Sequence, residues 1–121
     1  MATTNTTAFD VQALRRGIED RDADTLIGLY ADDAELSTVD RDNPPSRPRV
    51  LRGRDEIAEQ LRDVCGRDMT HALERVVVDG DSAAFVESCR YADGTRVLCV
   101  AALDLQDGLI VRQSGVQAWD A

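Results

Sequence analysis

Two residues of this sequence could exchange a proton with a bound molecule, Asp40 and His71. Asp40 follows a predicted strand, in phase with Leu36 and Thr38, so a partly desolvated carboxylate there could abstract a proton beside a carbonyl group. His71 is the only histidine, and imidazole side chains exchange protons near neutral pH. Each residue has a structural alternative: Asp40 as the start of a solvated loop, and His71 as a hydrogen-bonded residue where a strand begins.

Arginine and serine side chains are the candidate ligand-binding groups. All 14 basic residues are arginine. Arg75, Arg90 and Arg112 fall on the predicted cavity face of a sheet, where a buried guanidinium needs a partner. Inside the cavity it would orient a carboxylate or stabilise an enolate-like oxyanion, whereas at a strand end it would reach solvent. Ser88 and Ser114, on the same predicted face, could donate hydrogen bonds to that ligand.

Tyr30 and Trp119 are the aromatic residues considered for the site. Tyr30 is predicted to end the second helix, either with its hydroxyl directed into the cavity or as a core aromatic with a solvated tip. Trp119 is predicted to pack on the sheet or in a dimer contact rather than against a ligand.

Several signatures of other chemistries are missing from the sequence. It has no Gly-rich phosphate loop, no metal-ligand cluster, no nucleophile elbow and no cysteine paired with a base. We therefore expect no cofactor and no metal, which leaves cofactor-free chemistry or binding alone. Cys65, Cys89 and Cys99 are odd in number and lack paired metal spacing, so we interpret them as buried apolar side chains in a reducing cytoplasm.

Three helices are predicted to precede the sheet. In the first, apolar residues between Val11 and Ile18 share one face, and a second short helix follows a charged turn. The third helix lies between Gly53 and Gly66. A strand is predicted at Ala34–Val39, where apolar and polar residues alternate.

The second half of the chain is predicted to form antiparallel strands after an exposed loop. The loop spans Asp40–Arg49 and contains all three prolines. Turns containing Asp-Gly favour tight hairpins between the strands that follow. The predicted strands are His71–Val78, Ala83–Tyr91, Arg96–Leu105 and Leu109–Trp119.

The register of these hairpins predicts which residues share a face. If every turn is a two-residue loop, Val77 opposes Ala84, Arg90 opposes Val97 and Leu103 opposes Arg112, and opposed residues share a face. An extra residue in any strand would exchange the faces beyond it. The predicted cavity face carries His71, Leu73, Arg75, Val77, Ala84, Val86, Ser88, Arg90, Val97, Cys99, Ala101, Leu103, Leu105, Ile110, Arg112, Ser114, Val116 and Ala118. The predicted outer face includes Phe85, Glu87, Cys89, Tyr91, Leu98, Gln113, Gln117 and Trp119.

Length and charge limit the class of protein. A chain of 121 residues that is 43% hydrophobic has room for one core, and we expect a flexible N-terminus at residues 1–8 and one domain at residues 9–121. The net charge of −9 argues against nucleic acid and anionic membranes as partners. No apolar run approaches the roughly 20 residues of a membrane helix, and we find no signal segment. We expect a cytoplasmic protein.

Four short motifs and the chain end, in this order and spacing, resemble the SnoaL-like branch of the nuclear transport factor two-like superfamily. The resemblance covers nearly the whole chain from Phe9, although each motif alone is weak. The motifs are LYADDAEL at residues 29–36, LRGRDEI at residues 51–57, VVVDGDSA at residues 76–83 and DGLI at residues 107–110, with Trp119-Asp120 similar to the family's end.

The resemblance implies a fold and a range of activities. The fold would be α+β, with three N-terminal helices packed on a curved mixed or antiparallel sheet to form a cone-shaped roll that is frequently dimeric through the sheet. Members include polyketide cyclases, ketosteroid isomerase, scytalone dehydratase and epoxide hydrolases. The position matching the isomerase base holds Thr38, and Asp40 lies two residues later. His71 looks like the pocket histidine of dehydratase-like and cyclase-like relatives, although the dehydratase pattern uses more than one.

We therefore expect a pocket for a small hydrophobic or carbonyl-containing molecule. The first hypothesis is a cofactor-independent isomerase, dehydratase or cyclase-like enzyme, with Asp40 as base, His71 as acid or shuttle and an arginine as oxyanion stabiliser. The second is a binding module that holds its ligand without turnover. The third is an interaction protein, a homodimer formed through the outer sheet face, with Phe85, Tyr91, Leu98 and Trp119 exposed.

Overall fold

A computed structural model describes residues 8–121 of the chain. The flexible N-terminus expected at residues 1–8 lies, apart from residue 8, outside this range. The helices are α1 (Val11–Glu19), α2 (Ala23–Ile27) and α3 (Arg54–Cys65), and the strands are β1 (Tyr30–Val39), β2 (Arg49–Arg52), β3 (Met69–Asp79), β4 (Ser82–Tyr91), β5 (Arg96–Gln106) and β6 (Leu109–Trp119). Among the described helices, none is both long enough and apolar enough to cross a membrane.

The α+β architecture predicted from the sequence is confirmed. Three helices cover one face of a six-stranded sheet with the strand order β2-β1-β6-β5-β4-β3. The sheet is mixed, because β1 runs parallel to β6 while every other neighbouring pair is antiparallel. Its core is aliphatic, with Ile57 of α3, Leu103 of β5 and Ile110 of β6 almost completely buried.

The first two helices pack closely because of a glycine and two aspartate caps. The Asp10 carboxylate accepts a hydrogen bond from the Ala13 backbone N–H at 2.9 Å, and Asp22 caps α2 in the same way. Gly17 of α1 faces Leu26 of α2 so closely that a Cβ on it would lie 2.5 Å from the leucine Cγ and Cδ2. This contact allows both short helices to cover the same end of the sheet.

Two local assignments from the sequence are wrong. Tyr30 is the first residue of β1 rather than the end of the second helix, and it is buried. The short strand β2 begins inside the segment predicted to be an irregular loop and pairs only with β1, as in the pair Leu36 and Leu51. It is an edge strand of four residues directly after Pro48, a position where proline does no harm to the sheet.

The hairpin turns agree with the sequence at two of three places. The β3–β4 loop is Gly80 and Asp81, with positive φ at Gly80 alone, and the β5–β6 loop is Asp107 and Gly108, which both have positive φ as a tight I′ turn requires. The β4–β5 turn is longer, because the Tyr91 N–H donates to the Thr95 carbonyl at 2.9 Å. The cross-strand pair is therefore Arg90 and Arg96, shifted by one residue from the prediction.

Two bulges shift the pairing again. On β3, the pairing slips at Glu74, between Leu73 and Arg75, and on β6 it slips at Val111, between Ile110 and Arg112. Each extra residue exchanges the two faces of the strand beyond it. The shifts at Glu74 and in the β4–β5 turn cancel, so β5 faces as predicted while β4 does not.

The face prediction is consequently correct for some strands and wrong for others. His71, Leu73 and the β5 residues Val97, Cys99, Ala101, Leu103 and Leu105 do face the helices. The outer face instead carries ten residues that were predicted to line the cavity: Arg75, Val77, Ala84, Val86, Ser88, Arg90, Arg112, Ser114, Val116 and Ala118. The concave face, which is the face toward the helices, carries seven residues that were predicted to lie on the outer face: Phe85, Glu87, Cys89, Tyr91, Gln113, Gln117 and Trp119.

Candidate functional site

A cavity of about 770 Å³ opens between the concave face of the sheet, helix α3 and the loop after β1. The loop contributes Asp40 and Asn43, and α3 contributes Gln60. A volume of this size suits a small organic molecule. Polar residues from β3, β4 and β6 form the floor, which makes the concave face the place to look for chemistry.

The floor of the cavity brings together His71 of β3 with Glu87 and Cys89 of β4. His71 Nδ1 lies 2.8 Å from Glu87 Oε2 and 3.2 Å from Cys89 Sγ, and the Cys89 thiol lies 3.3 Å from the same Glu87 oxygen. The pairing explains this meeting, because His71 opposes Cys89 across the ladder and Glu87 lies two residues earlier on the same face.

The imidazole of His71 is oriented by the Glu87 carboxylate. An ionised carboxylate accepts hydrogen bonds only, so we assign the proton of a neutral ring to Nδ1. The His71 side chain is only 5% exposed, and its Nε2 atom is buried without a hydrogen-bond partner among residues 8–121. A buried polar atom of this kind needs a partner, and Nε2 with a free lone pair can accept a proton from a bound molecule.

Cys89 is a buried neutral thiol in this arrangement. The neighbouring Cys99 thiol, burial and the negative charge of Glu87 together raise the pKa of Cys89 far above the ordinary range of a thiol. Because the thiolate is the reactive form of cysteine, Cys89 is not a nucleophile here. It acts as a hydrogen-bond donor to Glu87.

His71, Glu87 and Cys89 are also donor types that hold metal ions. Their donor atoms all lie within 4.8 Å of one another. Among residues 8–121, this is the one group of three such side chains that is so close together. Local spacing predicted no such cluster, because the three side chains meet through strand pairing rather than along one segment.

A smaller cavity of about 100 Å³ lies deeper under the helices, and Tyr30 lines it together with His71 and Glu87. The Tyr30 hydroxyl donates a hydrogen bond to Gln113 Oε1 at 2.5 Å. Burial, with a smaller contribution from the Glu87 charge, raises the pKa of Tyr30 well above the usual range. Tyr30 therefore stays protonated, as a donor.

Asp40 lines the mouth of the cavity, but its carboxylate is occupied by its own loop. Its Oδ1 accepts hydrogen bonds at 2.9 Å from the Asp42 N–H, the Asn43 N–H and the Asn43 side-chain amide. Burial pushes the pKa of Asp40 upward, but these hydrogen bonds outweigh it and hold the pKa below its ordinary value. A stabilised carboxylate is a weak base, so these contacts favour the loop alternative.

Aromatic and guanidinium groups form the other wall of the mouth. Trp119 stacks on Tyr91 with ring centroids 5.7 Å apart, and the Arg41 guanidinium carbon lies 4.1 Å from the centroid of the Trp119 ring. Arg67 donates to the Tyr91 hydroxyl at 2.9 Å. Arg41 and Arg67 both line the cavity, as does Arg49.

The sequence-predicted site residues therefore separate into two groups. Asp40 and His71 line the larger cavity, and His71 and Tyr30 line the deeper one. The predicted ligand-binding residues Arg75, Ser88, Arg90, Arg112 and Ser114 lie on the opposite face of the sheet. Ser88 and Arg90 border a separate groove there, and the Ser88 hydroxyl donates to Glu74.

Sequence reasoning missed Glu87, Gln113 and Arg67 as site residues. Glu87 and Gln113 were assigned to the outer face, and the signal that could have found them is the alternation itself. On β4 the residues Phe85, Glu87 and Cys89 alternate with polar or small residues, which places a carboxylate on an otherwise apolar face.

Comparison with known proteins agrees with this architecture. The family model described as SnoaL-like domain matches residues 11–113. No curated protein matches the sequence significantly.

Solved structures with the same fold share little sequence with this chain. An NTF2-like protein of unknown function from Mesorhizobium loti has 23% identity and a TM-score of 0.76, covering 88% of each chain. A proposed ketosteroid isomerase from Kribbella flavida has 21% identity and a TM-score of 0.72, covering 91% of this chain and 74% of its own. An LEH-like epoxide hydrolase from M. tuberculosis has 19% identity and a TM-score of 0.64, covering 89% and 79%. At these identities the likeness shows the fold.

Proposed function

This chain belongs to the SnoaL-like domain family, and on that basis we propose that its cavity takes a small hydrophobic carbonyl compound and transfers a proton on it without a cofactor. The reaction class would be an isomerisation, a dehydration or a cyclisation, each of which begins with removal of a proton beside a carbonyl. In this proposal His71 is the base, where the sequence suggested Asp40.

The observation that carries the proposal is the buried pair of His71 and Glu87. Glu87 holds Nδ1 at 2.8 Å and leaves Nε2 as the ring nitrogen that has no partner in the described part of the chain. When Nε2 takes a proton, the adjacent carboxylate stabilises the resulting imidazolium, as the aspartate of a catalytic triad does. The pair therefore has the arrangement of a base and the group that orients it.

The surroundings of the pair suit a hydrophobic ligand with one polar group. The deeper cavity combines Tyr30, Gln113, Glu87 and His71 with an apolar wall. The amide N–H₂ of Gln113, whose Oε1 accepts the hydrogen bond from Tyr30, is a donor that could stabilise an enolate oxygen. The apolar wall consists of Leu14, Ile18, Leu26, Leu61, Val64 and Phe85.

Hydrogen–deuterium exchange at carbon tests the proposal without knowledge of the final product. The protein is incubated in D₂O with a panel of small cyclic ketones and β-dicarbonyl compounds, and exchange at the carbon beside the carbonyl is followed by NMR. We expect catalysed exchange with at least one compound, and a loss of more than about 100-fold in His71→Gln.

The matched control for this experiment is Ser88→Ala, on the same strand as Glu87 but on the opposite face. It should retain the exchange rate of the unmodified protein. Exchange that survives in His71→Gln, or that falls equally in Ser88→Ala, would contradict the assignment of His71 as base.

A second candidate, binding without turnover, is favoured by the burial of the base itself. The Nε2 atom is buried, so a ligand must reach deep into the cavity to touch it. The binding alternative predicts that thermal shift detects a ligand from the same panel while no exchange occurs, and that neither His71→Gln nor Asp40→Asn changes the affinity appreciably.

The proposal includes a homodimer formed by the outer face of the sheet. Val100 pairs with Val86 and Val116 across three strands, and Val100 and Val116 are 47% and 56% exposed. An apolar row of this kind is costly to leave in water. The cross-strand pair Asp104 and Arg112 at its edge offers both charges, which suits a two-fold contact with a second copy.

We place this protein in the cytoplasm. Cys65, Cys89 and Cys99 are free thiols, and thiols persist unpaired in a reducing compartment.

A further inference from the structure

Three adjacent strands of the concave face carry four residues of metal-ligand type, and three of them have donor atoms within 4.8 Å of one another. His71 of β3 opposes Cys89 of β4, and Glu87 of β4 opposes Cys99 of β5. Cys99 lies on the same face, but its sulfur is not part of the group whose donor atoms all lie within 4.8 Å of one another. The result is a set of one imidazole, one carboxylate and two thiols on neighbouring, hydrogen-bonded strands.

We propose that His71, Glu87, Cys89 and Cys99 form a binding site for one thiophilic divalent cation of the zinc class. Nitrogen, sulfur and carboxylate donors in this combination select zinc or cobalt over magnesium and calcium, which take oxygen ligands. His71 Nδ1, one Glu87 oxygen and the Cys89 sulfur would bind the cation where they lie, and the Cys99 sulfur would move in from the neighbouring strand as the fourth ligand.

Three of the four ligands need little movement. His71 Nδ1 lies 2.8 Å from Glu87 Oε2 and 3.2 Å from Cys89 Sγ, and Cys89 Sγ lies 3.3 Å from Glu87 Oε2. Tetrahedral zinc with bonds of about 2.0–2.3 Å holds its ligand atoms about 3.3–3.8 Å apart. The three atoms therefore need to separate by only about half an ångström or slightly more to admit the cation.

The position of the cluster also suits a cation. The side chains of His71 and Glu87 are 5% and 17% exposed, so the ligands are shielded from competing water. Strands hold the ligands more rigidly than loops would. Two thiolates and a carboxylate carry three negative charges against the cation's two, so the cation would be held by a net anionic shell once both thiols have released their protons to solvent.

This inference goes beyond the proposed function and does not rest on it. A cation at His71 Nδ1 would replace the proton through which Nδ1 donates a hydrogen bond to Glu87. The metal and the proton therefore compete for one nitrogen. Binding is measured with the metal alone and needs no substrate. Failure of the metal experiment therefore leaves the proton-transfer proposal standing, and the reverse also holds.

Cobalt absorption tests the site directly. The full chain, with all thiols kept reduced by a phosphine, is titrated with Co²⁺. We expect sulfur-to-cobalt charge-transfer absorption in the near ultraviolet and intense tetrahedral bands in the visible, saturating at one ion per chain. Addition of Zn²⁺ should remove both. A spectrum that matches free Co²⁺ would overturn the proposal.

Cysteine variants assign the ligands, with Cys65→Ser as the matched control. Cys65 lies at the end of α3, outside the cluster, so Cys65→Ser should bind Co²⁺ as the unmodified protein does. Cys89→Ser and Cys99→Ser should each lose part of the charge-transfer absorption. Each should also weaken Co²⁺ binding by more than about 10- to 100-fold, the loss expected when the replaced residue only hydrogen-bonds to a metal ligand.

Each variant is checked for folding by far-ultraviolet circular dichroism without metal. If a serine variant does not fold, Glu87→Gln, which keeps both thiols, takes its place and should show the same weakening. Unchanged bands in Cys89→Ser, or equal losses in Cys65→Ser, would overturn the site. Unchanged bands in Cys99→Ser would overturn its four-ligand form.

Discussion

The contact between His71 and Glu87 runs diagonally across the β3–β4 ladder. His71 pairs directly with Cys89, and Glu87 pairs with Leu73, yet the imidazole and the carboxylate meet at 2.8 Å. The bulge at Glu74 directly follows Leu73 and changes which β4 residues share its face. Without it Glu87 would face away from the helices, and the histidine would have no carboxylate.

Glu87→Gln should therefore reduce proton transfer more than ligand binding. The amide cannot stabilise the imidazolium, and it can turn its N–H₂ toward Nδ1 and favour the wrong tautomer, an effect that is large in catalytic triads. We expect carbon-exchange activity to fall by about 100-fold or more, while the thermal shift produced by the ligand persists.

Glu74→Gln is the control for that variant. Glu74 is a glutamate of the neighbouring strand, exposed on the outer face and hydrogen-bonded to Ser88. It should leave exchange unchanged. Equal activity in the Glu87 and Glu74 variants would mean that the carboxylate beside His71 has no part in the reaction.

Gly17→Ala should destabilise the protein although alanine is the better helix former. The added methyl would lie 2.5 Å from Cγ and Cδ2 of Leu26, which is buried and cannot move away freely. Overpacking of this kind costs about 1–3 kcal/mol, more than the roughly 1 kcal/mol that the change gains in propensity. Urea denaturation measures the free energy of unfolding.

Gly28→Ala is the comparison for the Gly17 variant, because a Cβ at Gly28 would meet its nearest atoms at 3.6 Å and the backbone there is helical. It should be neutral or slightly stabilising. If both variants change stability equally, the packing of α1 on α2 is not the cause.

Asp40 should stabilise the folded protein at neutral pH but not in acid. Its pKa is lower in the folded chain than the ordinary value of about 3.9 in the unfolded chain. The stabilisation is complete above the unfolded value and is lost as the pH falls through the folded value. Asp40→Asn should thus lower the unfolding temperature at about pH 6, with a difference that shrinks as the pH falls below the unfolded value of about 3.9.

The adjacent variant Asp42→Asn separates this effect from a general change in charge. Asp42 contributes its backbone N–H to the Asp40 carboxylate, so its substitution keeps the hydrogen bond. Thermal unfolding across the same pH series should show no comparable loss. A difference for Asp40→Asn that does not vary with pH would contradict the ionic origin.

Val100→Asp should convert the protein from a dimer to a monomer without unfolding it. Val100 is 47% exposed in the single chain, so the substitution costs little in the monomer but places a charge in the centre of an apolar contact. Light scattering after size exclusion gives the mass. Gln106→Asp, at an exposed strand end, should stay dimeric, and a monomeric unmodified protein at high concentration would contradict the interface.

The helices and long strands could be predicted because their signals are local. Apolar periodicity placed the three helices, and Asp-Gly turns placed the hairpins near Gly80 and Gly108. The edge strand β2 gave no such signal, since four residues between a proline-rich loop and a helix are too few to show alternation.

The candidate site could be predicted only in part, because it depends on single-residue shifts. His71 was found because it precedes the first shift. Glu87 and Cys89 were missed because the bulge at Glu74 changes the β4 face, and no glycine in that segment marks a bulge. Arg90 was misplaced by the same bulge, and Arg112 by the second bulge at Val111.

Trp119 is the only tryptophan of the chain, and its ring lies between Tyr91 and the Arg41 guanidinium at the mouth of the cavity. The intrinsic fluorescence of the unlabelled protein therefore comes from one point at the entrance. A molecule that enters and displaces Arg41 will change the intensity or wavelength of that emission, so occupancy of the chamber can be followed in real time without a dye.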